Sequence, residues 1–432
     1  MRPTGLSSLL LLASSLPVAA QASSSGQTTS MQLPPDVMPL EIIVGLAPGA
    51  DPVVLAQQAG AIDCTLSANA DLALVELPPG TSMQGSLDAQ ESLERDPGTT
   101  FSEFNRVATT PMQTRCQHSE SVSALPCTVA FFDGSPTLLE YSGQSTWSDV
   151  KLPLPPDVSP STSTVVAVLD TGADKNHPLL QGRIHPFAHD FVLDQPAAWD
   201  VFDRVDNDGD GEVDEAYGHG THVASVIALI DPGAQLMILR VLDTDGNGTA
   251  FDVADAIQAA VLQGADVVNL SLSFSSPSQA VEEALGVALG SGLDVFAAAG
   301  NTGALGVAFP ASVPGVMAVA AVDGDDVKAP FSAYGPGVDL CAPGVDVYGA
   351  MPDGGAAWWS GTSMATAVAS GSGSLLRSLG EDEGEGDDGD DSGDGVPLLD
   401  TCDDVDGVNP AYAGLLGAGR INLYDGAEDV AD

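Results

Sequence analysis

Three side chains in this 432-residue chain have the types and settings that nucleophilic catalysis needs. Ser363 stands in Gly361-Thr362-Ser363-Met364-Ala365-Thr366-Ala367, where the apolar stretch Ala356 to Trp359 passes through a glycine into a helix-compatible run, Met364 to Leu379. A helix beginning there offers free backbone N–H groups and the positive end of its dipole, both of which favour negative charge. That setting suits a nucleophile whose attack on a carbonyl creates an oxyanion. A serine at a helix start is equally a cap, so a base and an orienting acid elsewhere must decide. Asp170 ends the β-branched run Val165 to Leu169 and is followed by Thr171-Gly172, the pattern of a buried parallel strand that delivers a carboxylate to its C-terminal edge. His219 opens the apolar helical run Val223 to Ile230, with Gly218 and Gly220 leaving room for close backbone approach.

These residues require a scaffold, and the hydrophobic pattern supplies one. Strands are predicted at 165–169, 235–241, 266–270, 294–298, 316–322 and 345–349, and helices at 220–230, 250–263, 278–290 and 363–379. That alternation predicts an α/β domain over residues 161–426, with a mostly parallel sheet and helices on both faces. Sites in such sheets form at the carboxyl ends of the strands, where Asp170 falls. Ahead of it, residues 40–108 read as a small α+β domain of order strand–helix–strand–helix–strand. Residues 109–160 read as a Ser/Pro/Thr-rich linker, and residues 23–39 as disordered.

The motifs Asp170-Thr171-Gly172, Gly218-His219-Gly220-Thr221-His222 and Gly361 to Thr366 come in the order acid, histidine, serine. Together they resemble the subtilisin-like serine proteases, or subtilases. The resemblance implies that Ser363 is the nucleophile, that His219 relays its proton and that Asp170 fixes the imidazole tautomer. It also implies that Asn301, in Ala297-Ala298-Ala299-Gly300-Asn301, donates to the oxyanion beside the Ser363 backbone N–H. Ser271-Leu272-Ser273 corresponds to the family's substrate-pairing segment, on which peptide or protein substrate adds as a strand. Three departures stand out: Ser273 and Phe274 where glycines are usual, Ala367 for a proline, and Ser225 for a glycine. Residues 40–108 resemble the family's inhibitor-type propeptide, which implies a self-processed precursor with its own propeptide as intramolecular partner. Cleavage would fall within or just before the linker.

Asp206-Asn207-Asp208-Gly209-Asp210-Gly211-Glu212-Val213-Asp214-Glu215 sets oxygens at alternating positions with a glycine at the sixth, the opening of a calcium loop. The candidate ligands are Asp206, Asp208, Asp210, Glu212, Asp214 and Glu215, holding a structural calcium. Asp243 to Gly248 reads as a plain loop of the family. The tract 381–394, with nine acids and no base, reads as a disordered surface insertion. No zinc spacing or phosphate-cradling loop occurs.

Net charge is −48 with only three lysines, so no basic patch for nucleic acid can be assembled. Residues 1–22 read as a secretory signal peptide, with Arg2, the apolar core Leu6 to Val18 and the cleavage site Ala20-Gln21-Ala22. No stretch reaches about 18 uninterrupted apolar residues, so the expected product is exported and unanchored. Of five cysteines, Cys116 and Cys127 are the candidate disulfide pair, and Cys341 reads as a buried small hydrophobe. Spacing leaves the connectivity open. A second functional reading stays open beside the peptidase: a catalytically silent, calcium-dependent binding or surface protein on the same fold.

Overall fold

The computed structural model describes residues 36–110, 130–131, 144–154, 163–380 and 398–431. The stretch read as a signal peptide, residues 23–35, the Cys116/Cys127 pair and the tract 381–394 lie outside the described residues. Among those described, no helix is long and apolar enough to cross a membrane.

The chain opens with β1 (Val37–Leu46), α1 (Pro52–Ala59), β2 (Asp63–Leu66), β3 (Leu72–Glu76), α2 (Met83–Glu94) and β4 (Thr99–Thr109). The antiparallel order β4-β1-β3-β2 backs onto the two helices. Each helix starts where its side-chain cap dictates: Asp51 accepts from Val53 and Val54, and Ser82 from Gly85. The sequence pattern missed β2, whose Asp-Cys-Thr-Leu is too exposed and too polar to alternate. β1 starts at Val37, inside the stretch read as disordered.

The stretch read as a linker contains two structured pieces, the two-residue β5 (Ala130–Phe131) and α3 (Ser145–Asp149). Trp147 and Val150 are buried in the main core, with Leu152 and Leu154 packed against it. This part of the chain is therefore bound into the larger fold by apolar burial, which its Ser/Pro/Thr composition concealed.

The remainder comprises β6 (Val165–Asp170), β7 (His189–Asp190), α4 (His219–Ile230), β8 (Gln235–Arg240), β9 (Asn247–Thr249), α5 (Ala250–Leu262), β10 (Val267–Leu270), β11 (Ser273–Phe274), α6 (Gln279–Gly290) and β12 (Asp294–Ala298). β13 (Met317–Val322), β14 (Leu340–Pro343), β15 (Val347–Met351), β16 (Gly355–Trp359), α7 (Thr362–Gly380) and α8 (Leu423–Ala431) complete it. Seven strands form one parallel sheet in the order β14-β13-β12-β10-β6-β8-β7.

Strand periodicity explains why helices cover both faces. Val166, Val168, Leu236, Ile238 and Phe296 point to one core with α4 and α7. The alternate residues Ala167, Leu169, Met237, Leu239 and Val295 point to the other, with α5 and α6. Cys341 is fully buried on β14, as its apolar setting predicts.

Candidate active site

Every segment carrying a candidate residue leaves the carboxyl end of a parallel strand or begins a helix. Asp170 is the last residue of β6, Ser271 follows β10, and Asn301 follows β12 after the Gly300 turn. His219 and Ser363 lie in the first turns of α4 and α7.

His219 Nδ1 lies 2.7 Å from Asp170 Oδ1, and both side chains are almost completely buried. The Thr171 N–H also donates to Asp170 Oδ1 (2.8 Å), and the Gly220 N–H donates to Thr171 Oγ1 (3.0 Å). A side chain at position 220 is impossible here: its Cβ would lie 2.2 Å from the Gly172 carbonyl oxygen. The two glycine-containing motifs are thus one packed unit. His219 Nε2 is buried and has no hydrogen-bond partner among the described residues. An imidazole whose Nδ1 is held by a carboxylate and whose Nε2 is uncommitted is set up to take a proton.

Ser363 is buried at the start of α7, and its carbonyl accepts from Ser271 Oγ at 3.1 Å. A buried chain continues from there: Asn269 Nδ2 donates to Ser271 Oγ, and Ser370 Oγ donates to Asn269 Oδ1, each at 3.0 Å. These bonds tie the first three turns of α7 to β10 and the segment that follows it. Trp359, just ahead of Ser363, presents its ring to His219 nearly edge-on, with centroids 5.4 Å apart. Asn301 Oδ1 accepts from the Thr362 N–H and Thr362 Oγ1, both at 2.9 Å, so its Nδ2 is turned toward Gly361. The four candidate residues therefore occupy one corner of the sheet edge.

Asp200 of this corner escaped the sequence pattern, and His222 lay in the histidine motif without a catalytic role. Asp200 is buried and accepts from Thr221 Oγ1 (2.6 Å), the Thr221 N–H (3.2 Å), the Gly218 N–H (3.1 Å) and Thr171 Oγ1 (3.4 Å). Burial pushes its carboxyl up to about 7 against these stabilising bonds. His222 is fully buried, its Nε2 3.1 Å from the Val347 carbonyl and 3.3 Å from that of Ala357. Burial first, and then neighbouring His219, push its pKa down to about 3, so this imidazole is neutral and structural. The Ser225 departure has a use as well. Its Oγ donates to the His222 carbonyl and accepts from the Ala350 N–H, both at 2.8 Å, fastening α4 to β15. Ala367 is simply buried core.

Ser271-Leu272-Ser273 runs into β11, and a strand is already paired on it. β4 pairs antiparallel with β11 through Ser273↔Thr109 and Phe274↔Ala108. On its other side it pairs with β9 through Val107↔Thr249, Ala108↔Gly248 and Thr109↔Asn247. The Thr110 N–H extends this ladder to the Gly246 carbonyl at 2.8 Å. β9, the second wall of the slot, begins within the stretch Asp243 to Gly248 that reads in sequence as a plain loop. Glu103 of β4 anchors the same face by accepting from Ser278 Oγ (2.8 Å) and from the Ala280 (2.9 Å) and Gln279 (3.1 Å) N–H groups at the start of α6.

The six acidic candidates before His219 divide. Carboxylate oxygens of Asp206, Asp208 and Asp210 gather within 4.8 Å of one another, all exposed. Asp214 turns inward instead, its carboxylate accepting from the Asp203 (3.0 Å) and Arg204 (2.9 Å) N–H groups. Glu215 faces Asp245, and burial together with that carboxylate pushes its pKa up to about 7. Glu212 only donates its N–H to Asp210 Oδ1 (2.9 Å). Of the six, the structure thus gathers Asp206, Asp208 and Asp210 into one group, while Glu212, Asp214 and Glu215 lie outside it. Asp245, from the loop read as plain, braces the acidic loop by accepting from the Asn207 and Asp214 N–H groups. A cluster of hard oxygen donors with no ion-pair partner among the described residues fits calcium, and Asp206, Asp208 and Asp210 are the residues that would hold it.

Comparison with known proteins gives a consistent picture. The profile described as "Subtilase family" matches residues 161–386. The "Thermophilic serine proteinase" of Bacillus sp. (strain AK1) is 35% identical over 297 residues, covering 66% of this chain and 66% of that protein. Thermitase of Thermoactinomyces vulgaris is 34% identical over 278 residues, covering 62% of this chain and 90% of thermitase. The structure of fervidolysin from Fervidobacterium pennivorans, a keratinolytic enzyme related to subtilisin, superposes with a TM-score of 0.68 at 22% identity. That likeness, one of fold, covers 92% of this chain and 62% of fervidolysin.

Proposed function

From the chain's membership of the subtilase family, we propose that it is a secreted serine endopeptidase, made as a precursor that cuts itself. The observation that carries the reading is the buried Asp170–His219 pair at 2.7 Å, beside the helix start that holds Ser363. In this mechanism His219 Nε2 takes the Ser363 Oγ proton as Oγ attacks the substrate carbonyl carbon. The oxyanion accepts from the Ser363 backbone N–H and from Asn301 Nδ2, whose orientation is supported by the two bonds that its Oδ1 accepts from Thr362. His219 then passes its proton to the departing amine. Water, deprotonated by the same imidazole, releases the acyl group and restores Ser363.

Residues 37–109 act as the propeptide in this reading, and the placement of β4 between β9 and β11 supports it. A peptide substrate would enter as the same middle strand, with Ser271-Leu272-Ser273 pairing its backbone. The scissile bond of the precursor would follow Thr110 closely, and export would rest on the leader at residues 1–22. Calcium held by Asp206, Asp208 and Asp210 would stiffen the approach to His219 without touching the reacting atoms. The test is expression of the Ser363→Ala precursor. It should accumulate at full precursor mass while the wild type is trimmed; trimming of the variant at the same bond, in a host lacking other proteases, would refute self-processing.

A further inference from the structure

The two walls of the strand slot differ in what they allow beside the seated strand. β9 contributes Gly248 opposite Ala108, and that glycine is packed tight: a Cβ there would lie 2.0 Å from the Val241 carbonyl oxygen. This wall has no space behind it into which to retreat. β11 contributes Phe274, the register partner of the same Ala108. Cross-strand partners project to the same face of a sheet, with Cβ atoms roughly 4.5–5.5 Å apart. The Phe274 N–H donates to the Phe309 carbonyl (2.8 Å), so the 108–274 pair is of the non-hydrogen-bonded kind, in which side chains approach most closely.

The Phe274 ring is fixed as well. It meets Phe309 edge-on, with centroids 5.5 Å apart and planes at 67°, and it is 5% exposed. Ala108 is fully buried in the same apolar cluster as Leu272, Phe274 and Phe309. A methyl group fills the space that remains. The alternation of β4 agrees, since Thr109, its neighbour, is exposed.

We infer that Phe274 sets the substrate preference of this protein, by closing the slot opposite Ala108 to any side chain much larger than alanine. The inference rests on the peptidase reading above and names the class of peptide it takes: segments with alanine, glycine or serine at the position seated against Phe274. A larger side chain must displace a ring held by Phe309 and a backbone held on both sides. Overpacking of that kind corresponds to discrimination of about 10- to 100-fold.

The experiment digests a random peptide library with the processed enzyme and reads the residue profile on the N-terminal side of the cuts. One position should be restricted to Ala, Gly and Ser by about tenfold or more over Leu and Phe. In Phe274→Gly that restriction should relax to within about threefold, while neighbouring positions keep their profiles. Cleavage with no such position, or a restriction unchanged in Phe274→Gly, would overturn the inference alone. A complete lack of cleavage would overturn the peptidase reading on which it stands. A second measurement needs no turnover. In the full-length Ser363→Ala chain, Ala108→Phe should expose residues 99–110 to hydrogen exchange, and adding Phe274→Gly should restore their protection. Protection unaffected by Ala108→Phe would also overturn it.

Discussion

The Thr110 amide donates to the Gly246 carbonyl at 2.8 Å, immediately after β4 has passed between β9 and β11. A segment some 60 residues ahead of Asp170 in sequence is thereby paired into the peptidase-like domain between two short strands, one of which directly follows Ser271-Leu272. The edge strands β9 and β11 are only three and two residues long, and neither pairs with the parallel sheet. Short strands with unsatisfied backbone groups are templates for another strand. Their facing edges, with β4 paired between them, link the fold to the proposed chemistry.

Asn301 separates two roles that a simple deletion would confuse. Its Oδ1 holds Thr362, and its Nδ2 is assigned to the oxyanion. Asn301→Asp keeps the acceptor and loses the donor, so kcat should fall about 10²–10³-fold with little change in KM, the size known for the corresponding donor in subtilisin itself. The Tm should hold. Equal losses in kcat and Tm would assign Asn301 to structure alone.

Calcium should raise the Tm through Asp206, Asp208 and Asp210. At a free concentration 100 times the Kd, linkage gives about 2.7 kcal/mol. Differential scanning calorimetry with calcium and with EDTA should show the difference in the wild type and lose it in Asp206→Asn/Asp210→Asn. A gap of the same size in that variant would place the ion elsewhere.

His222 should make the fold acid-sensitive. Its pKa is near 3 when folded against an ordinary 6.5, so between these values the unfolded chain binds a proton that the folded one does not. Its contribution is present above about pH 6.5 and is lost as pH falls toward 3. His222→Gln, which keeps an N–H for the Val347 carbonyl, should flatten the fall of Tm across that window. Parallel wild-type and variant profiles would contradict this assignment.

Release of the proposed propeptide after cleavage should be favoured by rising pH. Asp252 is half-buried in the first turn of α5, which packs against β4, and desolvation there, then Glu41 and Asp255, push its carboxyl up to about 7. Asp255, which accepts from the Ala68 N–H, is pushed up to about 6, chiefly by burial. Raised acids in the docked state stabilise it below their ordinary values, and that stabilisation is lost as pH climbs through about 6–7. Size-exclusion chromatography of the processed protein should show the complex at pH 5 and separation at pH 8, with Asp252→Asn holding on to the propeptide at pH 8. Separation independent of pH would rule out this device.

Legibility in the sequence followed burial. β6 and β12 were readable because strands covered on both faces are unbroken apolar runs, and α4 and α7 because their motifs mark helix starts. β9 and β11 were not, since two or three residues acquire strand character only from a partner about 140 to 165 positions away. Asp200 looked like any loop acid until the fold closed Thr171, Gly218 and Thr221 around it. The acidic loop was half legible: alternation picked out Asp206, Asp208 and Asp210, but Asp214 adopts a left-handed backbone, φ 55°, and serves the loop itself. Trp147 and Val150 show the converse error, a core anchor hidden in linker-like composition.

The most direct test is covalent labelling of the processed, folded protein by a serine-directed fluorophosphonate, read by intact mass. A single adduct should form on the wild type and none on Ser363→Ala, because only a serine whose proton His219 can take attacks such a reagent. Absence of labelling on the folded wild type, or an adduct that persists in Ser363→Ala, would contradict the assignment of Ser363 as nucleophile.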